Sequence, residues 1–270
     1  VFTIAYSYFS RDHFGMLFGM ILHRLIVTVI SYIREDRISP KLCWNNAVIK
    51  DIFGFAKYIG PSSILTIFIT QFDKVLVLKL FDLRTLGLYG VAGSVSGPVN
   101  GLITQISTKI LYPRCAEYIR NGQGFSSPLF YRENIKLLLF LLTIPAIVGG
   151  LATPIITILF DHRYIDTAVI VQALCIASVL SALTAPSENL LVAHGKAKSI
   201  LVSNIIRFIW LVVVAFLGYQ SYGFTGFIFG IATNSFPMLL YLWHIRNLEN
   251  LMVFRYEILM IAYSSFIWLA

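Results

Sequence analysis

The chain has 270 residues, 57% of them hydrophobic and only 13% charged, and its 21 basic and 13 acidic side chains leave a net charge of +8. Soluble domains run at roughly 45–50% apolar and about 25% charged residues, whereas the mean hydropathy here is +0.78. That balance excludes a soluble domain. Apolar runs of about twenty residues make the chain a polytopic transmembrane helix bundle, all-α in fold class.

Residues Val1–Phe9 read as the end of a hydrophobic helix rather than a signal peptide, with no charged region or small-residue cleavage site before it. The chain therefore reads as a fragment lacking its N-terminus. Complete spans follow near Phe14–Ile33, Ile52–Phe72, Gly87–Thr108, Lys136–Leu159, Thr167–Ala193, Ser199–Gly218 and Gly223–His244. Tyr256–Ala270 reads as a further helix, cut by the end of the chain.

Loop charge tests this order of spans. Alternate loops hold Arg34, Arg37, Lys41 and Lys50, then Lys109, Arg114, Arg120, Arg132 and Lys136, then Lys196 and Lys198, then Arg246 and Arg255. The opposite loops hold only Arg11, Arg84 and Arg163. The asymmetry never breaks its alternation, so the basic loops are placed in the cytoplasm. Trp44, Tyr112, Tyr131, Tyr241 and Trp243 lie near that side, as an interfacial aromatic belt requires. The segment Tyr112–Arg132 reads either as a short helix on the membrane surface or as a plain connector.

With no soluble domain, the chemistry must sit among the helices. A charge at mid-bilayer costs about 2.5–3.5 kcal/mol on insertion scales, so such residues face a cavity or a partner. Arg24 and Arg207 are central in their spans. Each lines a water-filled cavity or forms an internal ion pair, for example with Asp73 or Glu188. Ser62, Thr66, Thr70 and Asp73 form a polar stripe at helical spacing, continued by Lys74 and Lys79. Asp73 reads equally as a holder of a coupling proton or cation and as the partner of an arginine or of Lys74. Lys57 and Lys79 lie near enough to span ends to snorkel. Ser94, Gly97, Gly101, Thr104 and Thr108 make a small-residue face, explained first by close helix packing and second by substrate contact. Pro61, Pro98, Pro145, Pro154, Pro186 and Pro237 interrupt the helices.

Catalytic signatures are missing: there is no HExxH, GxSxG or P-loop. Cys43, Cys115 and Cys175 share no motif spacing, and the five histidines are scattered. No enzyme, no metal and no cofactor is expected.

Four stretches carry a family resemblance. They are FAKYIGPSSILTIFITQFDKVLVLKLFDLRTLGLYGVAG from Phe55, TPIITILFDHRYIDTAVIVQAL from Thr153, ENLLVAHGKAKSILVSNIIR from Glu188, and YGFTGFIFG from Tyr222. Tyr112-Pro113 closes the helix after the first. In this order the chain resembles the oligosaccharide flippase (polysaccharide transporter) branch of the multidrug/oligosaccharidyl-lipid/polysaccharide exporter superfamily. Asp161 departs from it, standing where a glycine is usual.

The resemblance implies a two-lobed bundle of 12 to 14 helices. Residues 1–33 would end the first lobe, 34–51 form the cytoplasmic linker, and 52–270 form a second lobe truncated at its C-terminus. It also implies translocation of an undecaprenyl-diphosphate-linked oligosaccharide, such as an O-antigen, lipopolysaccharide or capsule repeat unit, across the bacterial inner membrane. Expected partners are that lipid-linked cargo, membrane lipids and other polysaccharide-assembly membrane proteins, with no nucleic acid. Arginine's planar fork suits phosphate oxygens. Arg24 and Arg207 are therefore assigned to the diphosphate with Lys57 and Lys74 assisting, Asn100, Thr104, Ser203 and Asn204 to the sugar, and Asp73 to a coupling ion. The rival readings are a multidrug/cation antiporter of the same superfamily and a membrane-embedded polysaccharide polymerase.

Overall fold

A computed structural model describes residues 13–34, 45–122, 128–247 and 252–269. The expected helix at Val1–Phe9, the middle of the linker with Arg37, Lys41, Cys43 and Trp44, and Arg11 lie outside the described residues. The chain divides into two compact units, Val1–Ile49 and Lys50–Ala270. In the first, α1 (His13–Arg34) extends for 22 residues, about 33 Å at 1.5 Å per residue. That length crosses a hydrocarbon core of about 30 Å.

Among the described residues every element is helical. The next helix, α2 (Asn46–Leu80), is 35 residues long and runs well past both predicted bounds of its span. Asn45 starts it by accepting the Ala47 amide on Oδ1 at 3.0 Å. A two-residue turn follows, and Asp82 caps α3 (Leu83–Ile106) by accepting from the backbone N–H and the hydroxyl of Thr85. These bonds favour the ionised carboxyl and hold Asp82 below the usual carboxylate range, the Thr85 hydroxyl contributing most. Because the folded pKa is depressed, the cap contributes fully above the ordinary carboxylate value of about 3.9. Its contribution fades as pH falls through the lowered folded value. Amide exchange at Leu83–Leu86 should accelerate across that window, and Asp82→Asn, which keeps a capping oxygen without the charge, should flatten the response.

Where the sequence left a surface helix or a connector open, the structure carries the helix on past the end of the span. A π-helical turn (Ser107–Leu111) joins α3 to α4 (Tyr112–Arg120), with Cys115 and Tyr118 on the buried face. Burial pushes the Cys115 thiol up to about 12. Since only the thiolate is nucleophilic, maleimide at pH 8 should label Cys115 at least 100-fold more slowly in the folded protein than after unfolding.

Helix α5 (Pro128–Gly150) is followed by the short α6 (Ala152–Leu159), then a 3-10 turn at His162–Tyr164 and α7 (Thr167–Ala193). The sequence joined α5 and α6 into one span; Leu151 breaks them. Helix α7 is the hub, packing against α3, α4, α5, α6 and α8 (Ala197–Ala232), and also against α9 (Phe236–Asn247) and α10 (Met252–Leu269). Small and polar side chains suit it to that place: Ala168, Ala173, Ser178, Ala182, Ala185 and Ser187 are buried along it. One apolar core gathers Leu111, Phe130, Leu142, Leu183, Leu191 and Leu242; a second gathers Val77, Tyr89, Ile156, Val171, Leu211 and Phe227.

Pro61, Pro98, Pro145 and Pro186 lie inside α2, α3, α5 and α7. Pro154 and Pro237 fall instead in the first turns of α6 and α9, where the missing N–H is not needed. Four helices among the described residues are long and apolar enough to cross a membrane.

The predicted pair Ser199–Gly218 and Gly223–His244 is built differently from its outline. Helix α8 reverses at Tyr222–Gly223, with Gly223 at φ +61°, and its second arm returns against the first. A Cβ on Gly226 would lie 2.2 Å from the Gly218 carbonyl oxygen, and one on Gly230 would lie 2.8 Å from that of Val214. Backbones this close require glycine. The face expected to pack tightly, Ser94–Thr108, does not: a Cβ on Gly97 or Gly101 would meet nothing within 4 Å. Close packing is set by the α8 hairpin instead.

Candidate binding site in the membrane

The second arm of α8 does not reach the far side as one helix. It ends at Ala232, and α9 begins at Phe236. The ten residues from Gly223 to Ala232 cover about 15 Å, so Thr233-Asn234-Ser235 breaks the span near the middle of a bilayer about 30 Å thick. Arg207 faces this break from the first arm. Its Nε donates to Asn234 Oδ1 at 3.2 Å, and Ser235 Oγ donates to the same oxygen at 2.9 Å. Trp210 Nε1 donates to Thr233 Oγ1 at 3.3 Å, and that hydroxyl donates to the Gly230 carbonyl at 2.9 Å.

The two terminal amino groups of Arg207 have no hydrogen-bond partner among the described residues. Glu188 on α7 is near enough to act on Arg207 by its charge, yet the two form no ion pair within 4.0 Å. Glu188 Oε1 instead accepts from Thr184 Oγ1 at 3.0 Å. Arg207 is therefore anchored at Nε while its fork remains open. Such a fork binds the paired oxygens of a carboxylate or phosphate in two parallel bonds.

The other predicted residues fall in several places. Arg24 is exposed on α1, in the first unit, where its carbonyl accepts from Thr28 Oγ1 at 2.9 Å. Lys57 and Lys74 are both exposed on α2 but 17 residues apart, about 25 Å along the axis, too far to hold one diphosphate together. Lys57 Nζ lies 4.9 Å above the Tyr58 ring, and Lys74 Nζ donates to Gln71 Oε1 at 3.0 Å. Asp73 is half-buried and accepts the Tyr89 hydroxyl from α3 and its neighbour's amide, that of Lys74, at 2.7 Å; neither an arginine nor the Lys74 ammonium is its hydrogen-bonding partner.

Asn204 is buried and ties α8 to α2, its Nδ2 donating to Ser62 Oγ at 2.8 Å and Thr66 Oγ1 at 3.2 Å. Ser203 is buried against its own helix, bonding the Ile200 carbonyl at 2.8 Å. Asn100 and Thr104 are exposed on α3, where Thr104 Oγ1 bonds the Asn100 carbonyl at 2.9 Å. The structure thus brings Asn204 to the Ser62/Thr66 stripe, and Asp73 to Tyr89. It hydrogen-bonds none of the predicted set to Arg207. Glu188, named as a candidate ion-pair partner, acts on Arg207 by charge without pairing, whereas the Arg207 partner Asn234, Ser235 on the same oxygen, and the adjacent Thr233–Trp210 pair were absent from the predicted set. Their signal was the polar Thr-Asn-Ser triplet followed by Phe-Pro inside an apolar run.

Comparison with known proteins bears on the N-terminal part of the chain. A family described as polysaccharide biosynthesis protein matches residues 1–169. The chain belongs to that family. The match holds Arg24, Lys57, Asp73, Lys74, Asn100 and Thr104, whereas Arg207 and the broken helix lie beyond it. A curated relative is the teichuronic acid biosynthesis protein TuaB of Bacillus subtilis (strain 168), 24% identical over 164 residues. That alignment covers 58% of this chain and 32% of the relative, so the chain spans about a third of the relative it matches. No solved structure matches. This member of the polysaccharide biosynthesis family is a membrane protein, and its broken span faces the Arg207 guanidinium of the preceding arm.

Proposed function

We propose that this protein belongs to a transporter, not an enzyme, that carries an undecaprenyl-diphosphate-linked oligosaccharide from the cytoplasmic to the periplasmic leaflet of a bacterial inner membrane by alternating access. The observation that carries the reading is the Arg207 fork, held at Nε and open at its terminal nitrogens beside a helix break. Family membership supports a polysaccharide precursor as cargo, as does the name of the relative, a teichuronic acid biosynthesis protein. Broken helices near mid-bilayer form substrate sites in secondary transporters, because irregular backbone survives there only when it is buried or lines a cavity.

In this reading the diphosphate meets Arg207, the sugar hydroxyls meet Asn100, Thr104 and the Thr233–Ser235 break, and the polyprenyl tail remains in lipid. Asp73 with Tyr89 is the candidate for the coupling ion. Asn204 and Ser203 act as structure, joining and filling the α2–α8 contact, rather than as sugar ligands.

The test uses the full-length parent chain in liposomes loaded with labelled polyprenyl-diphosphate oligosaccharide. Protein-dependent exposure of the sugar to an external glycosidase is expected. Absence of exposure, together with efflux of a cationic dye, would hand the protein to the drug antiporters.

A further inference from the structure

A separate cluster of charge sits at the end of the bundle that the loop arginines and lysines place in the cytoplasm. Lys50, Gly54 and Lys57 follow each other at i, i+4 and i+7, so they share one face of α2. Gly54 leaves that face open, since a Cβ there would meet nothing within 4 Å. Opposite stands the turn between α7 and α8. Gly195 at φ +71° closes it, with the Lys196 amide donating back to the Leu191 carbonyl at 3.0 Å, and buried Ala197 anchors it. The turn projects Lys196 and Lys198 at the N-terminus of a long helix, the positive end of its dipole.

Between these elements is an open cleft of about 770 Å³, lined by Lys50, Lys57, Lys196 and Lys198 and by a single carboxylate, Asp51. Phe53, Phe55 and Tyr58 complete its wall. Lys50, Lys57 and Lys198 form no ion pair within 4.0 Å among the described residues. Four ammonium groups against one carboxylate call for an anion. The surroundings narrow its class further. Phe53 and Phe55 in its wall are 69% and 39% exposed, an apolar surface for acyl chains directly adjoining a surface for phosphate. A soluble anion would use only the first half of that arrangement.

We infer that this cleft binds the phosphate head group of an anionic membrane phospholipid, held by Lys50, Lys57, Lys196 and Lys198 with its chains along Phe53 and Phe55. Basic pockets at the cytoplasmic ends of transmembrane helices recognise lipid phosphates in this way. The inference stands apart from the cargo reading, since it requires no transport.

The probe is fluorescent phosphatidylglycerol, titrated into the purified full-length protein in neutral detergent and followed by anisotropy. Wild type is expected to prefer it to fluorescent phosphatidylcholine at least fivefold. Lys50→Gln/Lys198→Gln should lose at least fivefold in affinity, while Lys50→Arg/Lys198→Arg should keep wild-type binding and so control for folding. Equal binding of the two lipids, or an unaltered affinity in the glutamine variant, overturns the assignment. Competition separates the lipid sources. Displacement by unlabelled phosphatidylglycerol at least as efficient as by polyprenyl diphosphate supports a phospholipid site; displacement by polyprenyl diphosphate alone overturns it in favour of a cargo site.

Discussion

Arg207→Ala is expected to cut flipping of the lipid-linked oligosaccharide at least tenfold in the liposome assay. Arg207→Lys should fail to restore it. The reasoning lies in how the guanidinium is held. Nε is fixed on Asn234 at 3.2 Å, and this leaves the planar fork presented as a rigid pair of donors. A charged hydrogen bond contributes about 1.5–3 kcal/mol, or roughly one to two decades in binding, and lysine keeps the charge but loses the fork.

Alanine has a second effect, on stability. It leaves Glu188 in the bundle without the positive charge that acts on it. Glu188→Gln in the Arg207→Ala background should therefore recover thermal stability, by about 1–3 kcal/mol of coupling for neighbouring groups. It should not recover flipping. If Arg207→Ala protein folds and flips at the wild-type rate, Arg207 is not the diphosphate ligand, whatever becomes of the transporter reading.

Gly226→Ala is expected to be the most damaging conservative change in the α8 hairpin. The new Cβ would stand 2.2 Å from the Gly218 carbonyl oxygen and 2.9 Å from the Tyr222 Cβ. Neither obstacle is the tip of a flexible side chain, so the two arms must separate. Overpacking costs typically about 1–3 kcal/mol, and a backbone obstacle puts this site at the upper end. Separation would also shift the Thr233–Ser235 break away from Arg207. Thermal unfolding in nanodiscs should show the loss, and Gly218→Ala should reproduce it because the approach is mutual, with a Cβ 2.3 Å from the Gly226 oxygen. Gly97→Ala is the control: nothing lies within 4 Å of its Cβ, and alanine favours helix by about 1 kcal/mol. Equal stability of Gly226→Ala and Gly97→Ala would refute the close approach.

These two sites show what the sequence made legible and what it concealed. The span Thr167–Ala193 was read to the residue, because a polar stretch of mixed charge ends at Asp166 and His194-Gly195 stops the helix. The reversal at Tyr222–Gly223 was also marked, by glycines at 218 and 223. The break at Thr233–Ser235 was not. Three small polar residues vanish when hydropathy is averaged over a window of about twenty, and only their position before Phe-Pro distinguishes them from tolerated polar residues in a helix.

Arg207 was found from its depth alone, since charge at mid-bilayer is rare enough to be informative. Its partners required knowledge of which arm folds back on which. Asp73 illustrates the same limit in milder form. The turn at Phe81–Asp82 sets α2 and α3 side by side, so Tyr89, seven residues past the turn, meets Asp73, eight before it. Helical spacing within α2 alone offered only Lys74.

Helix α2 also differs from the rest in how it adheres. Its central half is mostly exposed, and it joins α8 through the amide of Asn204 on Ser62 and Thr66 and through the Phe72–Phe208 ring contact at 5.6 Å. Hydrogen bonds of this kind contribute about 0.5–1.5 kcal/mol each, and an aromatic pair about 0.5–1.5 kcal/mol beyond its burial. Toward its C-terminal end α2 is held more firmly, with Val77 fully buried in one core with Leu211 and Phe227 of α8. The Ser62–Thr66 part of the seam therefore opens first, at a cost of a few kcal/mol that corresponds to about 0.1–10% of molecules. Under the transport reading proposed above, that slit would let a polyprenyl chain trail into the lipid while its polar end is inside.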